Sequence, residues 1–318
     1  MFVDVDMDRI GPALKEAGRA LDVVGEIAVI GIARSRADPE ERQVYGLATE
    51  AGEYVMKFDR TAQRSGLLRR EFATLERLWE HFGERSAPGV IPPVYLSPGG
   101  TFHLTRFVDA PSAQSLIETN PDPATLGAVF EAAGAWMHHA HGLDPEEEVP
   151  FWPNWHFKRL EELVTKGTRA PAPKVATYLS RLRRQAQALR GRMCVRRFAH
   201  GDLHGDNLLI AADGAVGFDL TESRMKLPVY DAVDLFRLDL HHDSESRGYT
   251  GAGVSEAAWS GFFTGYRRSM DPEILAFCLC ARALMDWVAI TPAAYAGSQA
   301  QQRRFATLET RLGHALDG

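Results

Sequence analysis

Cysteine is scarce in this 318-residue chain. The three that occur are an odd number and provide no disulfide framework, which is typical of a protein from a reducing compartment. Cys278 and Cys280 stand two positions apart in an apolar stretch with a helical pattern. Because residues two apart on a helix point to different faces, we expect buried thiols here rather than metal ligands.

A long hydrophobic run is absent as well. The most apolar stretch, residues 274–290, contains Arg282 and Asp286 and falls short of a membrane span. The first six residues are acidic, where a signal peptide would be basic. These observations predict a cytoplasmic protein with no membrane span.

The chain has no strong charge of one sign. It contains 36 Lys and Arg residues against 42 Asp and Glu residues, a formal net charge of −6. This balance disfavours a globally basic nucleic-acid binder, although it leaves room for a local basic patch. We expect no nucleic-acid partner, and the oligomeric state stays open. With 45% hydrophobic and 25% charged residues, the chain has an ordinary globular composition and enough length for two lobes.

The first 104 residues have the pattern of a small sheet with helices. Amphipathic spacing predicts a short helix within 1–20 and one long helix at 67–82. The strand at 44–47 is expected to form a hairpin with the strand at 53–58. Alternating or β-branched runs bounded by turn residues predict strands at 23–24, 28–32, 44–47, 53–58, 94–96 and 101–104.

After residue 111 the pattern becomes mostly helical, with a compact strand–loop–strand region at 198–220 as the exception. The chain is therefore predicted to be an α+β protein. We expect a small N-terminal lobe of antiparallel sheet at 1–104, a hinge at 105–110 and a larger, mostly helical lobe at 111–318.

The clearest chemical pattern lies at residues 198–210, FAHGDLHGDNLLI. It matches the catalytic-loop pattern H-x-D-x4-N of kinases, with Asp202 and Asn207 five positions apart. The carboxylate of Asp202 would accept a hydrogen bond from an attacking hydroxyl. The amide oxygen of Asn207 would then bind Mg²⁺ on the same side of the loop. We predict Asp202 as the catalytic residue and Asn207 as a metal ligand.

A second metal ligand is predicted on the hairpin that follows this loop. Residues 211–214, AADG, form a turn pattern, and residues 216–220, VGFDL, form a strand pattern that contains Asp219. Its carboxylate and the Asn207 amide are both hard oxygen donors, suited to Mg²⁺ bound to nucleotide phosphates.

A lysine on a strand with a glutamate on the next helix would complete this chemistry. Residues 54–57, YVMK, resemble the V-A-I-K pattern, so Lys57 would reach the phosphates of a nucleotide. Glu71 follows 14 residues later on the predicted long helix and would hold Lys57 in place. Glu76 is the alternative, but Glu71 directly precedes Phe72 in the apolar stripe and is better placed to face inward.

Each of these pieces alone is a weak signal, but their combined order is hard to obtain by chance. Residues 200–207, HGDLHGDN, resemble the signature of the aminoglycoside phosphotransferase and choline kinase-like enzymes, which belong to the protein kinase-like superfamily. Gly201 stands where protein kinases have arginine. Asp219 matches the metal-binding aspartate of the aminoglycoside phosphotransferase and choline kinase-like enzymes, although Thr221 follows where a glycine is expected. Residues 228–235, PVYDAVDL, resemble a later family motif with Asp231 as its structural acid.

This resemblance implies a bilobal protein kinase-like fold and use of ATP or GTP with Mg²⁺. It also implies phosphorylation of a hydroxyl on a small molecule, such as an aminoglycoside, a sugar or an amino alcohol. A catalytically silent nucleotide-binding regulator is one alternative, but the lysine, the base and the metal aspartate are all present. A protein kinase is another, disfavoured by Gly201 and by the lack of an A-P-E segment after Asp219.

Nucleotide contacts outside the lysine are less defined. The loop over the phosphates should lie near residues 32–44, where the chain has no glycine. The candidate phosphate contacts of this loop are Ser35 and the backbone amides of its polar turn. In the predicted hinge, Arg106, Phe107 and Val108 would offer backbone groups to a purine.

Charge is distributed unevenly around the catalytic loop. Residues 158–197 hold twelve basic and two acidic residues, whereas residues 201–245 hold ten acidic and three basic ones. The basic block is typical of a solvated helix face, and alternatively indicates an anionic acceptor or an acidic partner. A cationic aminoglycoside would instead favour an acidic rim, for which the candidates are Glu222, Asp239, Asp243 and Glu245.

Overall fold

The structure is a computed structural model that describes residues 6–34, 41–83, 89–242 and 248–317. The chain divides into two compact units. The first unit comprises Met1–Ala110 and Val216–Ser223, and the second comprises Pro111–Ala215 and Arg224–Gly318.

Helices and strands alternate early in the chain, and helices predominate later. In chain order the elements are α1 (Met7–Ala20), β1 (Ala28–Arg34), β2 (Arg42–Thr49), β3 (Gly52–Asp59), α2 (Ala62–Ser65), α3 (Leu67–Phe82), β4 (Gly89–Val90), β5 (Pro93–Leu96), β6 (Phe102–Arg106), α4 (Ala113–Glu118), α5 (Pro123–Ala140), β7 (Glu147–Pro150), α6 (Asn154–Thr165), α7 (Ala172–Leu189), β8 (Met193–Ala199), β9 (Leu208–Ala211), β10 (Gly214–Gly217), β11 (Arg224–Lys226), α8 (Val229–Leu240), α9 (Glu256–Gly265), α10 (Pro272–Val288), α11 (Pro292–Gly297) and α12 (Gln299–Leu316). Two 3₁₀ turns lie at Gly205–Asn207 and Leu220–Glu222.

The first unit is built on a five-stranded antiparallel sheet with the order β1-β2-β3-β6-β5. The predicted hairpin is present, with Val44 opposite Lys57 in the β2–β3 register. The predicted strand at 23–24 is wrong: β1 begins at Ala28, and Val24 is 95% exposed, so its β-branched side chain has no sheet face to pack against.

The alternation of side chains along β3 decides which residue faces which helix. Tyr54, Met56 and Phe58 are buried in one cluster with Ile10 and Leu14 of α1, so α1 covers this face of the sheet. Since successive side chains of a strand point to opposite faces, Lys57 points away from α1. On this opposite side its ammonium meets a residue of α3.

The second unit is mostly helical, with a three-stranded antiparallel sheet in the order β11-β8-β7. Helices α5 and α9 pack backbone to backbone. A Cβ on Gly265 would overlap the carbonyl oxygen of Glu131, and one on Gly134 would overlap that of Phe262, so glycine permits this close approach. With the antiparallel sheet of the first unit, this helical part confirms the predicted α+β class.

The apolar stretch at 274–290 forms α10, a helix of the core. Cys278 and Cys280 are both buried free thiols, as expected, and burial raises the pKa of Cys280 to about 12. Across the described parts of the chain, every helix is too short or too polar to cross a bilayer.

Candidate active site

Lys57 is the centre of a charged cluster within the first unit. Its Nζ donates hydrogen bonds to Glu71 Oε1 at 2.8 Å, Asp219 Oδ1 at 2.7 Å and Thr221 Oγ1 at 3.0 Å. These partners come from α3 and from the segment Val216–Ser223, which belongs to this unit. The strand therefore supplies the ammonium group, the helix supplies one acceptor and the returning segment supplies two.

The pKa values of Lys57 and Glu71 favour the charged state of both residues. Burial alone would lower the pKa of Lys57, but the adjacent carboxylates of Glu71 and Asp219 outweigh it and raise that pKa above its ordinary value. Burial alone would raise the pKa of Glu71, but the Lys57 ammonium together with the hydrogen bond and charge of His103 outweighs burial and lowers that pKa. Lys57 is therefore positively charged at neutral pH, and its ammonium is fixed in position by its hydrogen bonds.

Asp219 combines an unusual backbone with an accessible carboxylate. Its φ is 58°, in the left-handed region that few residues other than glycine adopt, and its side chain is 43% exposed. Segment Val216–Ser223 is anchored to the first unit by parallel pairing of β10 with β4, with Val216 opposite Gly89. Strained residues of this kind concentrate at functional sites.

Thr221 is a member of the cluster that the sequence did not single out as functional. Its hydroxyl accepts from Lys57 and donates to Oδ1 of Asp219. This is the position where the resemblance led us to expect a glycine. The only signal in the sequence was that departure.

A cavity of about 290 Å³ opens beside the cluster in the first unit. Its lining includes Lys57, Asp219, Thr221 and Arg42, and the Arg42 guanidinium lies 3.0 Å from the buried carboxylate of Asp59. Ser35, the predicted phosphate contact, lies outside the described residues.

The predicted hinge residues already use part of their hydrogen-bonding capacity. The N–H of Arg106 donates to the Pro92 carbonyl at 3.0 Å, and the N–H of Phe107 donates to the Glu53 carbonyl at 3.1 Å. The carbonyl of Val108 accepts from Ala110 at 3.1 Å. A purine would therefore have to use other groups of this stretch, such as the N–H of Val108.

In the second unit, Asp202 and Asn207 are held in one loop. The Asn207 amide nitrogen donates to the Asp202 carbonyl at 3.0 Å, so the carboxamide oxygen is left as the polar atom for a cation. The Asp202 carboxylate is 56% exposed and is accessible to a substrate. Gly201 has φ +88°, a conformation that an arginine would adopt only with strain.

Asp231 fixes the start of this loop from within the core of the second unit. Its carboxylate accepts from the N–H of His200 at 2.6 Å and of Gly201 at 2.9 Å. His141 Nε2 lies 3.2 Å from the same carboxylate, and His141 Nδ1 lies 3.1 Å from the Tyr266 hydroxyl. Burial alone would raise the pKa of Asp231, but the hydrogen bond and charge of His141 outweigh it and lower that pKa.

The residues that the sequence assigned to Mg²⁺ fit that ion by chemistry. Mg²⁺ prefers oxygen ligands and in nucleotide sites binds few protein groups, with phosphates and waters completing its shell. An accessible carboxylate at Asp219 and an oriented amide oxygen at Asn207 are groups of this type. In the portion of the chain that the structure describes, no cluster of three or more His, Cys, Asp and Glu side chains forms a metal site by itself.

The charge asymmetry of the sequence has a structural explanation in part. Asp239, a candidate for an acidic rim, is fully buried and pairs with Arg311 at 3.1 Å, so that assignment is wrong. Asp243 and Glu245 lie outside the described residues, and Glu222 is exposed. In the basic block, Arg183 and Lys174 are partly exposed and pair with Glu161 and Glu309, as expected of a solvated helix face.

The fold, with its antiparallel sheet followed by a helical part, is that of a kinase-like phosphotransferase. The model of the phosphotransferase enzyme family matches residues 33–269, and the chain belongs to this family. The predicted enzyme class, a small-molecule phosphotransferase, is thereby confirmed.

Solved structures with this fold cover nearly the whole chain. The amicoumacin kinase hAmiN in complex with AMP-PNP, Ca²⁺ and Ami is 19% identical, with a TM-score of 0.57 over 96% of this chain and 92% of that one. A putative aminoglycoside phosphotransferase from Ralstonia eutropha JMP134 is 16% identical, with a TM-score of 0.57 over 96% and 98%. A choline/ethanolamine kinase family protein from Mesorhizobium loti is 14% identical, with a TM-score of 0.52 over 98% and 99%. No curated protein matches the chain.

Proposed function

We propose that this enzyme transfers the terminal phosphoryl group of ATP or GTP to a hydroxyl group of a small molecule. The observation that carries the proposal is the Lys57 ammonium held between Glu71 and Asp219 within the first unit. A cation fixed in this way is suited to bind nucleotide phosphates, because its position and its charge are both set before the ligand arrives. The amicoumacin kinase complex with AMP-PNP and Ca²⁺ supports the use of a nucleotide and a divalent cation.

In the proposed reaction Asp202 acts on the acceptor. Its carboxylate orients the attacking hydroxyl and accepts its proton, while the hydroxyl oxygen forms a bond to the terminal phosphorus. The bond from that phosphorus to the bridging oxygen breaks, and the nucleoside diphosphate leaves. Asp231 and His141 contribute indirectly, by fixing the backbone at His200 and Gly201 from which Asp202 projects.

Asn207 and Asp219 are the proposed Mg²⁺ ligands. A bound Mg²⁺ would neutralise charge on the phosphates and help to align them. For the nucleotide itself we propose contacts from Lys57, Ser35 and the backbone of Arg106, Phe107 and Val108. Catalysis would then come mainly from positioning and charge stabilisation.

The test compares Asp202→Asn with Asp206→Asn. Asp206 is an exposed carboxylate of the same loop whose Oδ1 lies 3.5 Å from Ser112 Oγ, so its variant is a matched control. We expect Asp202→Asn to reduce phosphoryl transfer by a factor of about 10²–10⁴ while nucleotide affinity is retained. Transfer is measured with terminally labelled ATP, Mg²⁺ and a panel of small hydroxyl compounds mixed with proteins.

Three results would contradict the proposal. Equal loss of nucleotide binding in Asp202→Asn would remove the role assigned to this residue. Label on protein bands would favour a protein kinase. Retained nucleotide binding with no labelled product of either kind would favour a silent regulator.

A further inference from the structure

A cavity of about 460 Å³ lies beside Asp202 in the second unit. This volume is in the range of sites for small molecules. One side of its lining is aromatic: the rings of Trp155 and His156 are 5.0 Å apart, and His156 and Tyr230 stack at 6.1 Å. The cavity therefore offers an aromatic wall next to the exposed carboxylate of Asp202.

The charged residues of this cavity are three cations and two carboxylates. Arg282 Nη2 lies 3.1 Å from Asp234 Oδ1, so these two charges compensate each other. The second carboxylate is Asp202, which the proposed function assigns to the acceptor hydroxyl. Burial lowers the pKa of His156 to about 4, so this ring is neutral at pH 7 and adds no charge.

Arg224 and Lys226 are the remaining cations. They lie on β11 at positions i and i+2, and a strand places such side chains on the same face. Neither forms an ion pair with another residue in the described ranges. Lys226 Nζ donates one hydrogen bond, to the Gly201 carbonyl at 2.9 Å, and so has further donors for a ligand beside the catalytic loop.

Arg224 and Lys226 therefore lie on one face of β11 and line the same cavity as the Asp202 carboxylate. A cationic acceptor would meet like charge there, whereas an anionic group would gain charge-assisted hydrogen bonds from a guanidinium and an ammonium. These cations come from β11 and lie outside the basic block at 158–197. Three cations of that block, Lys174, Arg181 and Arg183, pair with acidic residues.

We propose that the acceptor is an anionic hydroxyl compound whose carboxylate or phosphate group is bound by Arg224 and Lys226. Its apolar or aromatic part packs against Trp155 and Tyr230, and its hydroxyl faces Asp202. This inference rests on the proposed phosphotransfer function and specifies the class of its acceptor.

The test uses the full chain with Mg²⁺-ATP and acceptors that are matched except for charge. One set is para-(hydroxymethyl)benzoate, para-methylbenzyl alcohol and para-(aminomethyl)benzyl alcohol. In the other set the anionic members are glycerate and glycerol phosphate, the neutral member is glycerol and the cationic member is aminopropanediol. ADP release measures turnover, and the shift in melting temperature measures binding without turnover. We expect the anionic members to give the fastest ADP release and the largest shift.

Variants of Arg224 assign this preference to the cavity. Arg224→Gln should lower the ratio of kcat/KM for the anionic over the neutral member of a set by about 10- to 100-fold, the loss expected for a charge-assisted hydrogen bond. Arg224→Glu should shift preference toward the cationic member. Arg184→Gln, an exposed arginine of the basic block, is the control and should leave the ratio unchanged.

Preference for a neutral or cationic acceptor, absence of binding by the anionic compounds, or ratios that do not respond to Arg224→Glu would overturn the inference. Anion binding that depends on Arg224 without any phosphorylated product would support this cavity and contradict the phosphotransfer function instead. Transfer to cationic acceptors that requires Asp202 would support the phosphotransfer function and contradict the anionic acceptor.

Discussion

Two buried carboxylates, Glu71 in the first unit and Asp231 in the second, hold the candidate catalytic groups in different ways. Glu71 binds a side chain, the Lys57 ammonium, which has two other acceptors in Asp219 and Thr221. Asp231 binds backbone, the N–H groups of His200 and Gly201, at a site without solvent exposure. A flexible ammonium can shift to its other partners, whereas a buried N–H that loses its acceptor cannot. Glu71 therefore sets the position of one cation, and Asp231 sets the fold of a loop.

The largest effect is expected for Asp231→Ala. Removing this carboxylate leaves two backbone N–H groups and His141 without an acceptor in the core. We expect the free energy of unfolding to fall by about 3–5 kcal/mol, as for the loss of one partner of a buried charged pair. Urea unfolding followed by tryptophan fluorescence measures it, since five of the six tryptophans lie in the second unit. Asp231→Asn keeps one acceptor oxygen, so its free energy of unfolding should lie between those of the parent and Asp231→Ala. An unchanged unfolding midpoint in Asp231→Ala would refute the role of Asp231.

Asp234 sharpens the comparison, because burial dominates at this third carboxylate. Burial raises its pKa to about 6 despite Arg282 at 3.1 Å, whereas the ordinary value is 3.8. Between these values the folded protein holds a proton that the unfolded chain has lost, so this group's stabilisation is lost as pH rises from about 4 to 6. Asp234→Asn should gain about 2–3 kcal/mol in unfolding free energy relative to the parent between pH 4 and pH 7.5.

The measurement for Asp234 is urea unfolding of both proteins across this pH range. Glu71 and Asp231 have lowered pKa values, so their contributions have the opposite sign and are lost only as pH falls below the ordinary range of carboxylates. They are common to parent and variant and cancel in the difference. A difference that is constant with pH, or that grows toward acid pH, would show that Arg282 controls Asp234 instead of burial.

The smallest effect on stability is expected for Glu71→Gln, since the Lys57 ammonium still has Asp219 and Thr221 as hydrogen-bond acceptors. We expect a loss of about 1–2 kcal/mol in unfolding free energy together with a rise of roughly tenfold in KM for ATP. Steady-state kinetics at varied ATP measures this rise. The matched control is Glu76→Gln on the exposed face of α3, and an equal effect of that variant would reverse our choice between the two glutamates.

The sequence predicted those parts of the candidate site that depend on local order. The strand pattern around Lys57, followed by the apolar stripe of α3, placed Lys57 and Glu71 in positions that the structure brings to 2.8 Å. The loop pattern likewise placed Asn207 beside Asp202. Spacing on one strand or one helix determines which side of the element a residue occupies, so such predictions follow from backbone geometry. Their catalytic roles stay predictions.

Contacts between distant parts of the chain left no comparable signal. His141 and Tyr266 are 125 residues apart, and Asp239 and Arg311 are 72 apart. In a single sequence such residues are counted as separate polar groups, which is why Asp239 was assigned to a surface rim. Strand β7, with the sequence EEVP, was missed because Val149 is its only β-branched residue and it has no aromatic one, whereas strand prediction relies on runs of both.

The return of Val216–Ser223 to the first unit has a consequence for synthesis on the ribosome. Residue 223 is added 113 positions after residue 110, where the rest of this unit ends. At about 5–20 residues per second this interval is roughly 6–20 s. During that time the nascent first unit lacks the partner strand of Gly89 and Val90 and two of the acceptors of Lys57. Its completion is therefore delayed until all of residues 111–215 have emerged.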